Sequence, residues 1–192
     1  MTVSADYADQ LLGVNQFILT VSQGIHGLGS SDNGNPLASR AAGQVDFTKF
    51  EATVARTQPL FAAFSAFVAL YGQYAGTALL SPEQCGYGGR FFGRAFDPSQ
   101  LLGDSCFEAL GELRYDVRGT PLSQLQLYSF ADYGKVWTRS PAVGTPASAD
   151  GTSVGAGLRL GWQYFNADLQ AAKAVAGPRD DWRFFFIAAA KY

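Results

Sequence analysis

Residues 106–118, CFEALGELRYDVR, change between apolar and charged side chains at almost every step. Successive side chains of an extended strand point to opposite faces, so one face of this segment is apolar and the other is charged. The apolar face carries Phe107, Ala109, Leu113, Tyr115 and Val117, and the charged face carries Glu108, Glu112, Arg114, Asp116 and Arg118. The segment therefore predicts a β-strand that separates two different environments.

The same period of two recurs along the rest of the chain. Seven further segments show it: residues 11–24, 45–56, 60–74, 122–134, 153–163, 167–175 and 181–192. With residues 106–118 they predict an all-β fold of eight antiparallel strands, in which every strand has one apolar and one polar face.

The connections between these segments differ in length in a regular order. Short turns at 57–59, 119–121 and 165–166 alternate with long connections at 25–44, 75–105 and 135–152, and a shorter one follows at 176–181. Alternation of side chains alone fits a soluble sandwich or barrel as well as an outer-membrane barrel. Alternating short turns and long loops, with strands long enough for a tilted membrane crossing of about 9–11 residues, favour the membrane barrel. In that fold the apolar faces meet lipid and the charged faces line a wet lumen.

Composition excludes several other classes of protein. A net charge of −2 without a basic stripe argues against nucleic-acid binding, and the sequence contains no apolar run long enough for a membrane-spanning helix. Residues 151–155, GTSVG, match the Gly-x-Ser-x-Gly nucleophile motif, but no helix pattern follows and the single histidine, His26, lies far upstream. We therefore expect no enzyme activity, no metal site and no cofactor.

Two cysteines, Cys85 and Cys106, bracket the glycine-rich segment between the third and fourth predicted strands. Two cysteines and one histidine are too few for a structural zinc site. The cysteines are either two unrelated small residues or a disulfide that closes this loop, and a disulfide would require an oxidising compartment.

The linear order of motifs resembles one protein family. Residues 39–50, SRAAGQVDFTKF, precede 79–117, LLSPEQCGYGGRFFGRAFDPSQLLGDSCFEALGELRYDV; then come 128–137, YSFADYGKVW, and 154–162, VGAGLRLGW. This order is similar to the C-terminal barrel half of the two-partner secretion transporters, the haemolysin secretion/activation proteins. They belong to a superfamily that also contains the outer-membrane barrel assembly factors.

The resemblance implies a sixteen-stranded barrel preceded by periplasmic domains. Residues 1–192 would then be a partial barrel domain holding the last eight strands, without the periplasmic domains and the first barrel half. Residues 75–105 would be a long loop that folds back into the lumen. The terminal aromatic residue, Tyr192, would end the closing strand as an assembly signal.

The resemblance also assigns site residues, in two motifs and a lumen wall. The loop tip is Gly93, Arg94, Ala95 and Phe96, the wall motif is Phe130, Asp132 and Gly134, and the lumen candidates are Glu108, Glu112, Arg114, Asp116 and Arg159. Arg94 is expected to pair with Asp132. The family prefers valine at position 93 and glycine at position 95. If position 95 needs a positive φ, alanine would not adopt the same backbone conformation as readily as glycine.

The implied function is that of an outer-membrane translocator that secretes a large partner protein of the haemolysin or adhesin type, with activation of that partner as an optional second role. The partners would be the secreted protein passing in unfolded form, outer-membrane lipid and the barrel assembly machinery, with no nucleic acid. The alternatives are an assembly-factor or porin-like barrel of the same superfamily and a soluble ligand-binding β-barrel.

Overall fold

The computed structural model describes residues 1–27, 29–30 and 32–190, and this part of the chain is all-β and antiparallel, as predicted. Its strands are β1 Thr2–Ala8, β2 Val14–Gln23, β3 Thr48–Pro59, β4 Phe64–Ala75, β5 Cys85–Tyr87, β6 Leu101–Gly103, β7 Ser105–Asp116, β8 Gln124–Trp137, β9 Ser148–Gly161, β10 Phe165–Ala176 and β11 Trp182–Ala190. A single 3-10 turn, Ser81–Glu83, is the helical element among these residues. No helix in the described ranges is long and apolar enough to cross a membrane.

Nine of these strands form one sheet, in the order β1-β2-β3-β4-β7-β8-β9-β10-β11. The short strands β5 and β6 pair with each other inside the β4–β7 connection. Each sheet strand pairs with its neighbours along the chain, which is the up-and-down arrangement that short turns between antiparallel strands produce.

The sheet contains one strand more than the eight predicted. Each of the eight predicted segments coincides with a sheet strand, but β1 was not predicted. Its sequence, TVSADYA, is short and mixes small and polar residues, so its period of two is weak. It becomes a strand because it pairs with β2 over its whole length, from Thr2 opposite Thr20 to Ala8 opposite Val14.

The connections alternate in length as the sequence predicts. Residues 9–13, 60–63, 117–123 and 162–164 are turns at one end of the sheet, and residues 24–47, 76–104, 138–147 and 177–181 connect the strands at the other end. The connection predicted at 135–152 is shorter in the structure because β8 continues to Trp137 and β9 begins at Ser148.

The two faces of the sheet differ in chemistry. We call the face on which the 76–104 connection packs the inner face and the opposite one the outer face. The outer face exposes large apolar side chains: Leu113 is 46% exposed, Leu127 47% and Phe184 78%. The inner face carries the charged residues predicted to line it.

The apolar core lies between the 76–104 connection and the inner face of the sheet. It is built mainly from Tyr87, Phe96 and Leu101 of the connection and from Leu110, Tyr128, Phe130 and Val136 of β7 and β8. Burial of one such side chain stabilises the packed arrangement by roughly 1.5–3 kcal/mol. The connection is therefore part of the folded unit, held on the sheet by apolar contacts as well as by charge.

The two edge strands of the described sheet are β1 and β11, which do not pair with each other. The described sheet is therefore open. A free strand edge presents unpaired N–H and C=O groups that need further strands or another cover. The predicted number of sixteen strands remains a prediction.

Candidate functional site

The 76–104 connection, which we call the inner loop, enters the inner face as a hairpin. Its strands β5 and β6 pair Cys85 with Gly103 and Tyr87 with Leu101. Cys85 is joined by a disulfide to Cys106 of β7, and their Cα atoms lie 6.3 Å apart. The structure thus joins the two cysteines whose pairing the sequence left open.

The tip of the inner loop is a tight turn from Gly93 to Phe96, closed by the Phe96 N–H, which donates to the Gly93 carbonyl at 2.8 Å. Gly93 has the positive φ, +71°, and Ala95 does not. The alanine is therefore compatible with this turn. A side chain at position 93 would approach the Tyr87 ring to 2.8 Å, so glycine, where the family prefers valine, suits this tip.

Arg94 points from the tip into the wall and is 3% exposed. Its Nη2 donates to Glu112 Oε1 at 2.7 Å, whereas its Nε lies 3.7 Å from Asp132 Oδ2. The guanidinium carbon lies 3.9 Å from the centre of the Phe130 ring. Arg94 and Asp132 are brought together, but the shorter ion pair of the side chain is with Glu112.

Asp132 has a different set of partners from the one expected. Its Oδ2 accepts hydrogen bonds from the backbone N–H of Arg94 at 3.1 Å and from the Ser153 hydroxyl at 3.0 Å. Asp132 thus binds the backbone of the tip directly. Its contact with the Arg94 guanidinium, at 3.7 Å, is longer than that backbone hydrogen bond. Ser153 belongs to the Gly-x-Ser-x-Gly match, and its position inside strand β9 rather than at a strand-to-helix turn argues against a nucleophile elbow.

Glu112 is the centre of the charged network on the wall. Besides Arg94 it contacts Arg114 at 2.7 Å and Arg159 at 3.1 Å, and its own side chain is 2% exposed. Arg159 also lies 3.5 Å from Asp168. Arg94 depends most on this carboxylate because it is buried, and an unpaired buried charge is costly; Arg114 and Arg159 are 18% and 25% exposed.

Aromatic rings of the inner loop rest on glycines of the wall. Gly134 and Gly151 lie directly opposite each other on β8 and β9. A Cβ at Gly134 would lie 2.1 Å from the Tyr87 ring, and one at Gly151 would lie 2.7 Å from the Phe96 ring. The two glycines form a flat floor on which the rings can pack, which gives the third position of the wall motif a steric reason.

The remaining predicted residues also lie on the inner face. Glu108 is buried there, and Asp116 is exposed near the end of β7 and accepts a hydrogen bond from Gln126 at 2.8 Å. Tyr192 lies outside the described residues. Sequence reasoning gave Tyr87, Gly151 and Ser153 no role on the inner wall, since those roles depend on how deeply the inner loop enters.

A family model matches most of the chain. The model is described as haemolysin secretion/activation protein ShlB/FhaC/HecB, and it matches residues 7–160. The chain belongs to this family. The inner loop and the wall motif of this ShlB/FhaC/HecB family member lie within the matched range, as does β9 up to Leu160.

A solved structure has the same fold. It is CdiB from Escherichia coli, with a TM-score of 0.79 and 17% sequence identity; the match covers 97% of this chain and 35% of that one. The chain therefore spans about a third of the length of that protein. No curated protein matches this family member in a sequence search.

Proposed function

We propose that this chain is the barrel part of an outer-membrane translocator that secretes a partner protein of the haemolysin or adhesin type. The observation that carries the proposal is the position of Arg94. It lies at the tip of a loop that packs on the inner face, and its ion pair is with a buried carboxylate of the wall.

The chemistry of the two faces supports a bilayer as the environment of the outer face. Exposed aromatic and aliphatic side chains along every sheet strand would be unfavourable in water but suit lipid. A soluble ligand-binding barrel has the reverse arrangement, with apolar residues inside. Outer-membrane lipid is thus one partner of the proposed transporter, and the barrel assembly machinery that inserts such strands is a second.

The charged inner face supports a wet lumen through which an unfolded chain could pass. Arg94, Arg114 and Arg159 balance Glu112 and its neighbours, and these long side chains can form new hydrogen bonds with water or with a passing polypeptide. In the proposed mechanism the inner loop fills the lumen at rest. The arriving partner protein displaces it, at the cost of the Arg94–Glu112 ion pair.

The proposal is tested by secretion from cells that carry the full-length transporter and its partner protein. Arg94→Ala should reduce the amount of secreted partner and raise the resting conductance of the channel in planar bilayers, because the plug is loosened. The matched control is Arg90→Ala in the same loop. Arg90 is exposed and makes no ion pair with the described residues, so its loss should change neither quantity.

The outcomes separate the candidate functions. Conductance without secretion of any partner protein would favour the porin-like alternative. Failed insertion of other barrel proteins after deletion of the gene would favour the assembly-factor alternative. Equal secretion by the Arg94→Ala variant and wild type would contradict the role given to the inner loop.

A further inference from the structure

Asp104 is a buried carboxylate at the end of the inner loop, and the site described above does not use it. It is 0% exposed and precedes the first residue of β7. Its Oδ1 accepts hydrogen bonds from Arg40 Nη1 at 2.6 Å and from the Leu79 N–H at 2.8 Å, and its Oδ2 accepts one from the Arg139 N–H at 2.6 Å. One carboxylate therefore joins the 24–47, 76–104 and 138–147 connections.

The two arginines around Asp104 extend this junction. Arg40 also donates to the Leu79 carbonyl at 3.1 Å and to the Arg139 carbonyl. The Arg139 side chain donates to the Ala75 carbonyl, the last residue of β4, at 2.9 Å. A buried charge with this many hydrogen bonds is expensive to expose, because every partner would need a replacement.

The disulfide fixes the same region covalently. Cys106 follows Asp104 by two residues, and Cys85 is the first residue of β5. We call residues 76–87 and 101–104 the base of the inner loop, and residues 88–100 the tip segment. The base is held by a covalent bond, a buried carboxylate and the β5–β6 pairing.

The tip segment is held in a different way. Gly88 and Gly89 begin it with φ of +122° and +119°, and Ser99, near its other end, has φ of +53°. Its polar attachments are the Arg94 side chain on Glu112, the Arg94 N–H on Asp132, and ion pairs of Asp97 with Arg179 at 2.5 Å and with Arg183 at 2.6 Å. Its main apolar attachment is Phe96, which is 0% exposed. Side-chain ion pairs can exchange for water or for another charged chain without breaking a covalent bond.

We propose that the base is a permanent part of the wall, and that the pore opens by movement of the tip segment alone. The hinges are Gly88–Gly89 on one arm and Ser99–Gln100 on the other. Asp104 and the disulfide are the positioning groups that keep the base in place. The claim that the tip segment moves to open the pore rests on the proposed function. The rigidity of the base does not, because it follows from Asp104 and the disulfide.

The disulfide sets a limit on this movement. Arg94 is the ninth residue after Cys85, and an extended chain spans at most about 3.6 Å per residue. The tip can therefore move no further than about 30 Å from the disulfide. Within this limit Arg94 can leave Glu112 while the base remains where it is.

The first test measures amide hydrogen exchange of the full-length transporter without any partner protein. Residues 76–87 and 101–104 should exchange at least roughly tenfold more slowly than residues 88–100. Arg94→Ala should accelerate exchange in 88–100 only. Cys85→Ser with Cys106→Ser, and Asp104→Asn separately, should accelerate exchange in the base.

Equal exchange of base and tip in the wild type would overturn the proposal. So would an Arg94→Ala variant that releases the base together with the tip. If Asp104→Asn does not fold, hydrogen exchange of the base can still be measured in the variant with Cys85→Ser and Cys106→Ser. Because no partner is present, the result stands whether or not the protein secretes one.

The second test follows the thiols during secretion. Cells that secrete the partner receive a brief pulse of a thiol reductant, are denatured in acid and are treated with a maleimide polymer, so that only cysteines that the reductant reached are labelled and migrate more slowly on gels. The proposal predicts the same labelled fraction in secreting cells and in cells without the partner, because the pore opens while the disulfide stays packed in the base. A larger labelled fraction during secretion would show that the base must open.

Discussion

Replacement of Glu112 by glutamine should release the tip segment far more than replacement of Asp132 by asparagine. Arg94 and Glu112 are 3% and 2% exposed, and removal of one partner from a buried ion pair costs about 3–5 kcal/mol. Glu112→Gln retains the shape of the side chain but leaves three arginines without their common charge. We expect the free energy of local opening of residues 88–100 to fall by about 3 kcal/mol, a roughly 100-fold faster exchange.

Asp132→Asn should have a smaller effect because asparagine keeps an acceptor oxygen. That oxygen can still accept the backbone N–H of Arg94 and the hydroxyl of Ser153, and the lost attraction is the longer one, at 3.7 Å. The expected loss is about 1 kcal/mol, or roughly fivefold in exchange.

The assay is hydrogen exchange with mass spectrometry on the full-length protein in detergent micelles. Glu108→Gln is the matched control: it is a buried glutamate on the same strand and face, without an ion pair to the described arginines. It should leave exchange in 88–100 no faster than in the wild type. A larger effect of Asp132→Asn than of Glu112→Gln would refute the assignment of Glu112 as the main charge partner.

Two further predictions concern the wall and a turn. Gly134→Val should push the Tyr87 ring off the wall and raise channel conductance, because its Cβ would lie 2.1 Å from that ring, whereas Gly111→Val has no neighbour within 4 Å and should leave conductance unchanged. In the 9–13 turn, the Arg56 guanidinium holds the pKa of Asp9 well below its usual range. A lowered carboxyl pKa stabilises the folded turn above the unfolded pKa of about 3.9 and loses that effect as pH falls. Protease resistance of the turn should therefore be constant from pH 8 to about pH 5 and decrease only in stronger acid; a decrease between pH 8 and pH 6 would contradict this.

The strands were predictable because the two faces of each sheet strand lie in different environments. Apolar and polar side chains therefore alternate along the strand, and this alternation is visible in the sequence. Phe107, Leu113 and Tyr115 fall on one face of β7 by sequence alone. β1 escaped prediction because TVSADYA has a weak apolar pattern, and its pairing with β2 is what makes it a strand.

The contacts of the inner loop could not be predicted in the same way. The resemblance identifies Arg94 and Asp132, but the depth and tilt of the loop decide which carboxylate the guanidinium reaches, and here that is Glu112. The same applies to Asp104. Asp104 joins three connections that lie together at one end of the sheet. These connections are far apart in the sequence, so no local pattern predicts that they come together.

The proposed function requires that a partner protein pass along the inner face of this sheet. Tyr115 and Asp116 are neighbours on β7 that point to the outer and inner face, and both are exposed. A photo-activatable phenylalanine analogue placed at either position in the full-length transporter, during secretion, reports which face the partner touches. We expect cross-links to the partner protein from position 116 and none from position 115; cross-links from 115 alone, or from neither position while secretion continues, would exclude passage along the inner face.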